Sequence, residues 1–360
     1  MEFVSGLAAV PLEYGLHDVL GRQGLQFEPW VGSAAASFAT KLPIPPSCGV
    51  FRSEDYFRLK QHRRSICFAP QSGHPIRSVF CIKGMEPLAP DFACALEDLA
   101  GRHAANTGLN NLEDLVLRED KLPGCLLWSE AQAEASIAAT VHRRLSDDGA
   151  PLARLPLPAL CVRLPQVTAE SAAREISSRA SRSLWHKIDM LAAGGLGAYV
   201  YWYPSVPIRA IQVSPNKQMA MTMSEAWIDL AARLLRAGFL PTTAYSQHRG
   251  HCCDRLNAVI DGGFADMGSV VPVTELSASK DVFIALQMTI WLLTSTILHV
   301  FGKSDTKITR FDYAANMVLH LVRERLMYAC GKDADPRMTE FVGATKDISA
   351  FARLLEKTEA

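Results

Sequence analysis

The chain has 360 residues, of which 49% are hydrophobic and 21% charged, with 37 basic and 37 acidic side chains. That is ordinary for a folded protein and enough chain to bury a large core in one domain or two lobes. The charge balance gives no whole-chain signal for nucleic acid or an anionic membrane, and neither is expected as a partner, although a local basic groove stays open.

The first residues, MEFVSGLAAVPLEYGLHDVLG, lack a basic n-region and carry acids early, so no signal peptide is expected. The nine cysteines are scattered, several lie inside apolar runs, and none forms a Cys-x-x-Cys pair. Reduced, buried thiols in a cytoplasmic protein are the expectation. Residues 1 to 60 read as an N-terminal extension, irregular through Pro43, Pro45 and Pro46, with one short helix.

From Arg63 the pattern turns β-rich. RRSICFAP and IRSVFCIKG are two strand-like runs joined by Gln-Ser-Gly-His-Pro, with Ser72 and Gly73 in the turn and Lys83 at the end of the second strand. Ala93 to Ala105 is helix-like. Trp128 to Leu145 is the clearest helix of the first half: Ser129 suits its cap, glutamates populate its first turns, and His-Arg-Arg closes it. PLARLPLPALCVRLP follows as a strand with prolines at its edges. Ala169 to Ala193 reads as one helix stopped by Gly194-Gly195, then Tyr199 to Tyr203 as a strand, and Ile208 to Val213 as another.

Beyond about residue 215 the pattern is helical. Helices are expected over Ser224 to Ala237, Ser277 to Phe301, Thr309 to Ala329 and Thr339 to Lys357. Val282 to Gly302 carries no formal charge and is long enough to span a bilayer. Its Gln287, threonines, Ser295 and His299 favour a buried central helix instead.

Between these helices lies the stretch QHRGHCCDRLNAVIDGGFADMGS, Gln247 to Ser269. Asp261-Gly-Gly between two apolar runs predicts a hairpin, because the turn needs positive φ and glycine supplies it. That hairpin places Asn257 and Asp266 near the same end of two strands, where both can bind one cation. Asp261 itself is turn chemistry. A carboxylate such as Asp266 inside an apolar return strand calls for a partner or a metal. The loop ahead of it offers His248, His251, Cys252, Cys253 and Asp254, all of them zinc-ligand types, and a Cys–His pair is also the makings of a thiol nucleophile. Adjacent cysteines seldom share one ion, no second cluster completes four ligands, and no oxyanion-hole signature accompanies the cysteines. Each residue also has a plain reading: Lys83 ends a strand at solvent, and Glu130 and Glu134 form a solvated helix face.

Taken together, a strand ending in Lys83, a helix bearing Glu130 and Glu134, a strand running into a Pro-marked linker, a His-containing loop and a hairpin from Asn257 to Asp266-Met-Gly resemble the protein-kinase-like and aminoglycoside-phosphotransferase-like superfamily. The resemblance covers roughly residues 63 to 330. It implies an α+β, two-lobed kinase-like fold, with a β-rich N-terminal lobe over 61–207 and a helix-rich C-terminal lobe over 208–360. It implies ATP and Mg²⁺ as cofactors and a small-molecule acceptor. Lys83 matches the phosphate-binding lysine, Glu134 (in preference to Glu130) its helix partner, Ser72-Gly73 the turn over the phosphates, and Asn257 with Asp266 the metal ligands. His248, His251 or Asp254 would face the acceptor.

The departure is at Gly250, where the family carries a catalytic Asp two residues after the loop His. Siderophore synthetases, which adenylate a carboxylate, and pseudokinase adenylyltransferases resemble the chain in lacking it. An ATP-dependent phosphotransferase is therefore the first expectation. An adenylating ligase or adenylyltransferase, a nucleotide-binding pseudoenzyme, and a metal or thiol enzyme built on HRGHCCD are the alternatives.

Overall fold

The structure is a computed structural model that describes residues 3–4, 8–10, 42–43, 56–57, 65–68, 79–84, 125–146, 154–164, 166–177, 182–210, 213–241, 258–276, part of 286–301, and 313–330. It is an α+β protein whose described sheets are antiparallel. The chain divides into two compact units, one of residues 1–140 and 157–206, the other of residues 141–156 and 207–360.

The first unit is built on one seven-stranded sheet. Its strands are β2 (Ala8–Val10), β4 (Tyr56–Phe57), β5 (Ser65–Phe68), β6 (Val79–Lys83), β7 (Leu126–Leu127), β8 (Leu157–Arg163) and β9 (Leu196–Tyr203). Their order is β2-β8-β9-β6-β5-β4, with β7 also paired to β9. Two further short strands, β1 (Phe3–Val4) and β3 (Leu42–Pro43), pair with each other. Strands from the first 60 residues thus join the main sheet at both of its ends, Ala8–Val10 beside β8 and Tyr56–Phe57 beside β5.

β9 is central because all eight of its residues are buried and it is paired on both sides, with β8 along Gly197–Trp202 on one and with β7 at Leu196–Gly197 and β6 at Tyr199–Tyr203 on the other. Its aromatic and β-branched residues suit a pleated surface covered on both sides. The strand begins at Leu196, earlier than the aromatic run alone predicts, because Gly197 and Ala198 belong to it.

Helix α1 (Trp128–Ser146) follows β7 directly and is tied to the sheet by Trp128 N–H donating to Gly195 O at 3.0 Å. Its first unit-facing residues, Ala131, Ala135 and Ala138, are buried, a small-residue stripe at helical spacing. Between β8 and β9 the chain makes two helices, α2 (Gln166–Ser177) and α3 (Arg182–Ala193), where the sequence pattern reads as one. Apolar periodicity continues through both and so hides the interruption; Trp185 Nε1 donates back across it to Ser177 O at 2.7 Å.

In the second unit, α4 (Lys217–Arg236) is the longest described helix. It starts seven residues ahead of the expected Ser224, because Asn216 caps it, its Oδ1 accepting from Met219 N at 2.9 Å. The first turns expose Met219 and Met221, so the apolar stripe that marks the helix in the sequence begins only later. α4 packs on α5 (Tyr313–Cys330) and on β10 (Phe239–Pro241), which pairs with β11 (Val270–Pro272). The described residues between 286 and 300 are helical and, apart from the half-buried His299, buried, Leu286, Ile290, Leu293 and Ile297 among them, in keeping with a buried helix. Among the described residues, no helix is long and apolar enough to cross a membrane.

Of the strand expected over Ile208 to Val213, residues 211–212 lie outside the described residues. Among the described ones, Arg209 makes an isolated bridge to Val259, with Ile260 N donating to Ile208 O and Ala210 N to Ala258 O, and Val213 N donates back to Ala210 O.

Candidate functional site

Lys83 is the last residue of β6, and Glu134 lies two turns inside α1. The structure brings them together: Lys83 Nζ donates to Glu134 Oε1, and both residues are only 7% exposed. A lysine ending a strand at solvent and a glutamate on a wetted helix face are both ruled out at these two positions. An ion pair withdrawn from water is costly unless each charge answers the other, so the geometry of β6 against α1 has to be held tightly.

Two local features hold it. Gly84, immediately after the lysine, has φ +94°, and a Cβ there would lie 2.6 Å from Leu126 Cβ and 2.7 Å from Gly197 O. Only glycine lets the chain leave β6 so close to β7 and β9. Glu130 anchors the start of α1: its Oε2 accepts from Leu127 N at 3.0 Å, the residue just before the helix. This is one half of a capping box, and it takes the capping role that the sequence suggests for Ser129. The two glutamates, one turn apart, therefore have separate tasks, Glu130 at the helix start and Glu134 at the lysine.

The sheet register sets what surrounds the lysine. Lys83 stands opposite Tyr199, and Cys81, on the same face, opposite Tyr201. Tyr199 and Tyr201 are buried, with ring centroids 5.2 Å apart. Cys161 of β8 opposes Tyr199 from the other side. The lysine face of the sheet is thus lined by tyrosine and cysteine in place of the aliphatic side chains usual in a core.

In the second unit the hairpin expected at Asp261-Gly is present as a tight turn. Ala258 bridges Phe264, Val259 N donates to Gly263 O, and Asp261 Oδ1 accepts from Gly263 N at 2.9 Å, which is turn chemistry as anticipated. Gly262 has φ +88° and sits against helix α4, where a Cβ would be 2.2 Å from Ala226 Cβ. Trp227 Nε1 clasps the same hairpin through Val259 O at 2.9 Å.

The return arm differs from expectation. Among the described residues it pairs at Phe264, and Met267–Ser269 forms a turn of 3₁₀ helix capped by Asp266, whose Oδ1 accepts from Gly268 N at 3.0 Å. The half-buried carboxylate of Asp266 therefore has a backbone partner. Accepting one N–H at one oxygen is compatible with ligation of a hard cation, since a carboxylate has two oxygens and several lone pairs. Among the described residues, no group of three or more His, Cys, Asp or Glu is arranged to hold a metal ion. Mg²⁺ does not require one, because it is commonly held by one or two carboxylates together with substrate phosphates and water.

Ser72, Gly73, His248, His251, Asp254 and Asn257 lie outside the described residues. One buried titratable side chain has no counterpart in the sequence reading beyond its place in a helix end. His142 is 1% exposed, and its Nε2 donates to Pro156 O at 3.1 Å. Burial, with Arg233 nearby, lowers its pKa to about 4, against the two backbone hydrogen bonds that work the other way. It is a neutral imidazole pinning the end of α1 to the approach to β8, and its only signal in the sequence is a histidine in an apolar helical row.

Compared with known protein families and with curated proteins, the chain matches no family model and no curated sequence.

Proposed function

We propose that this protein is an ATP- and Mg²⁺-dependent transferase acting on a small molecule, with phosphoryl transfer as its reaction and a kinase-like, two-lobed fold as its frame. The observation that carries the reading is the buried Lys83–Glu134 pair. A strand-borne ammonium held by a helix carboxylate is a fixed cation of the kind that phosphate groups require, and a pair with no such task is an expensive way to fill a core. The path of the chain supports it: β5 and β6 are adjacent, the helix bearing Glu134 follows β6, and the chain then returns through β8 to β9, which lies against β6.

In this reading Lys83 binds phosphate and Glu134 keeps the ammonium in position. Asp266, with Asn257, supplies oxygen ligands to Mg²⁺, whose chemistry is to neutralise developing charge on phosphate oxygens. Ser72 and Gly73 cover the phosphates, and His248, His251 or Asp254 face the acceptor. Cys81, Cys125 and Cys161 are buried, in keeping with a reducing, cytoplasmic setting.

A second reading, adenylyl transfer on the same cradle, is favoured by one observation: Gly250 stands where the resemblance expects the catalytic Asp. Thermal-shift measurement with ATP and Mg²⁺ tests the nucleotide site. Stabilisation of the wild type that is lost in Asp266→Ala is expected, and no response in the wild type overturns both readings. With acceptor candidates supplied, release of ADP supports phosphoryl transfer and release of pyrophosphate supports adenylation. Binding without either product marks a pseudoenzyme.

A further inference from the structure

Helix α5 has an inner and an outer face. Leu319, Val322 and Leu326 are buried, and the helix packs against α4. Leu321, Glu324, Arg325 and Tyr328 are exposed, and their spacing of three and four residues sets them on one stripe opposite that inner row. Tyr328 is 89% exposed and Leu321 45%. A single apolar side chain in water needs no explanation. Here two stand two turns apart with an acid and a base between them.

The order of the four residues makes the stripe its own complement. Leu321 with Tyr328, and Glu324 with Arg325, share one midpoint, between positions 324 and 325. A two-fold axis across the helix at that point lays a second copy of α5 antiparallel on the first. Leu321 then meets Tyr328 of the second copy, Glu324 meets Arg325 of the second copy, and each contact occurs twice. That is isologous association. An in-register parallel pair would instead set like charge beside like charge. Within the chain, Glu324 Oε1 accepts from Arg323 Nη2 at 2.7 Å and lies 4.0 Å from His320 Nδ1. A carboxylate has several lone pairs on two oxygens, so these contacts leave Glu324 able to receive Arg325 of the second copy. Tyrosine and arginine are also the side chains enriched at the anchoring points of interfaces.

We propose that the outer face of α5, Leu321, Glu324, Arg325 and Tyr328, is a homodimer interface, its partner a second copy of this chain laid antiparallel across it. With one helix face from each copy the contact is small, so association is weak and depends on concentration. This inference does not rest on the nucleotide reading.

Sedimentation equilibrium of the full-length chain over about 1–100 μM is the test. The wild type is expected to pass from monomer to dimer in that range. Glu324→Arg and Arg325→Glu each bring like charges together twice, and each is expected to weaken dimerisation at least about tenfold. Mixed in equal amounts, the two variants are expected to associate with each other, because one offers two acids where the other offers two bases. The double exchange Glu324→Arg/Arg325→Glu restores both contacts in a single chain and is expected to dimerise again. Circular dichroism checks that each variant is folded. Where a charge variant is not, Leu321→Ser/Tyr328→Ser, which changes no charge, is expected to lose the dimer by itself. A wild type that stays monomeric throughout the range overturns the proposal. So does a dimer that these substitutions leave intact, or a failure of the two folded charge variants to associate on mixing.

Discussion

The ammonium of Lys83 rests on the carboxylate of Glu134, 51 positions further along the chain, and both are nearly withdrawn from water. Each charge is tolerable only because the other is there. Removing one leaves the other buried and unanswered, at a cost of about 3–5 kcal/mol, whereas removing both in favour of apolar groups of similar size is close to neutral. Lys83→Met and Glu134→Leu are each expected to lower the unfolding free energy by about that amount, and the double variant to recover most of it. Denaturant unfolding of the four proteins decides the matter: strictly additive losses would show that the two groups do not depend on each other.

Glu130 and Glu134 are separable by the same measurement. Glu130→Ala removes a cap at the start of α1 and is expected to cost about 1 kcal/mol. Any stabilisation of the protein by ATP and Mg²⁺ is expected to survive in Glu130→Ala and to be lost in the Lys83→Met/Glu134→Leu double variant.

Gly84→Ala adds a methyl group where Leu126 and the Gly197 carbonyl already stand, at a backbone conformation that L-residues avoid. The expected loss is at least about 2 kcal/mol, from the left-handed conformation and overpacking together. Because the crowded neighbours are β7 and β9, the loss should appear as faster amide exchange in β6 and β9 before global unfolding is reached.

His142 makes stability depend on pH. Its folded pKa of about 4 lies below the ordinary value of 6.5, so between these two values the unfolded chain binds the proton more readily than the native one. The neutral-imidazole contribution is present in full above pH 6.5 and is lost as pH falls towards 4, to a total of about 3 kcal/mol. His142→Gln is expected to flatten the stability profile over that interval. An unchanged slope in the variant would assign the acid sensitivity to other groups.

The hairpin is fitted to α4 by a single missing carbon. Gly262→Ala meets Ala226 Cβ at 2.2 Å as well as paying for positive φ. Ala226→Gly in the same chain is expected to restore only part of the loss, since it removes the collision and leaves the backbone strain. A complete rescue in thermal unfolding would mean that the turn has another way to relax.

What was legible in the sequence follows from how local the signal is. A β-branched and aromatic run ending in lysine, and an alanine-rich helix with its acids near the start, mark Lys83 and Glu134 by short patterns. The turn at Asp261-Gly262 is written in two residues. The first turns of α4 were not legible, because Met219 and Met221 face water and break the apolar row, and the helix start is marked by Asn216 alone. The break between α2 and α3 was hidden for the opposite reason, an apolar pattern that runs across it. The edge strands Ala8–Val10 and Tyr56–Phe57 are two or three residues long and owe their pairing to β8 and β5, so nothing nearby in sequence announces them. The apolar run around Asp266 marks it as a carboxylate in need of a partner, but that the Gly268 amide is one depends on the 3₁₀ turn that follows.

The neighbours of β6 differ greatly in their distance along the chain. β5 is its immediate predecessor, whereas Lys83 meets Tyr199 only after α1, β8, α2 and α3 have all been made. Closing so long a stretch of chain carries an entropy cost that nearby contacts do not, and such pairings form slowly. β5 with β6, and β8 with β9 across their two helices, close shorter segments and are the natural first-forming pairs of this unit. The β6–β9 ladder then belongs to the late stage of folding. Substitutions that weaken that ladder are accordingly expected to speed unfolding more than they slow refolding.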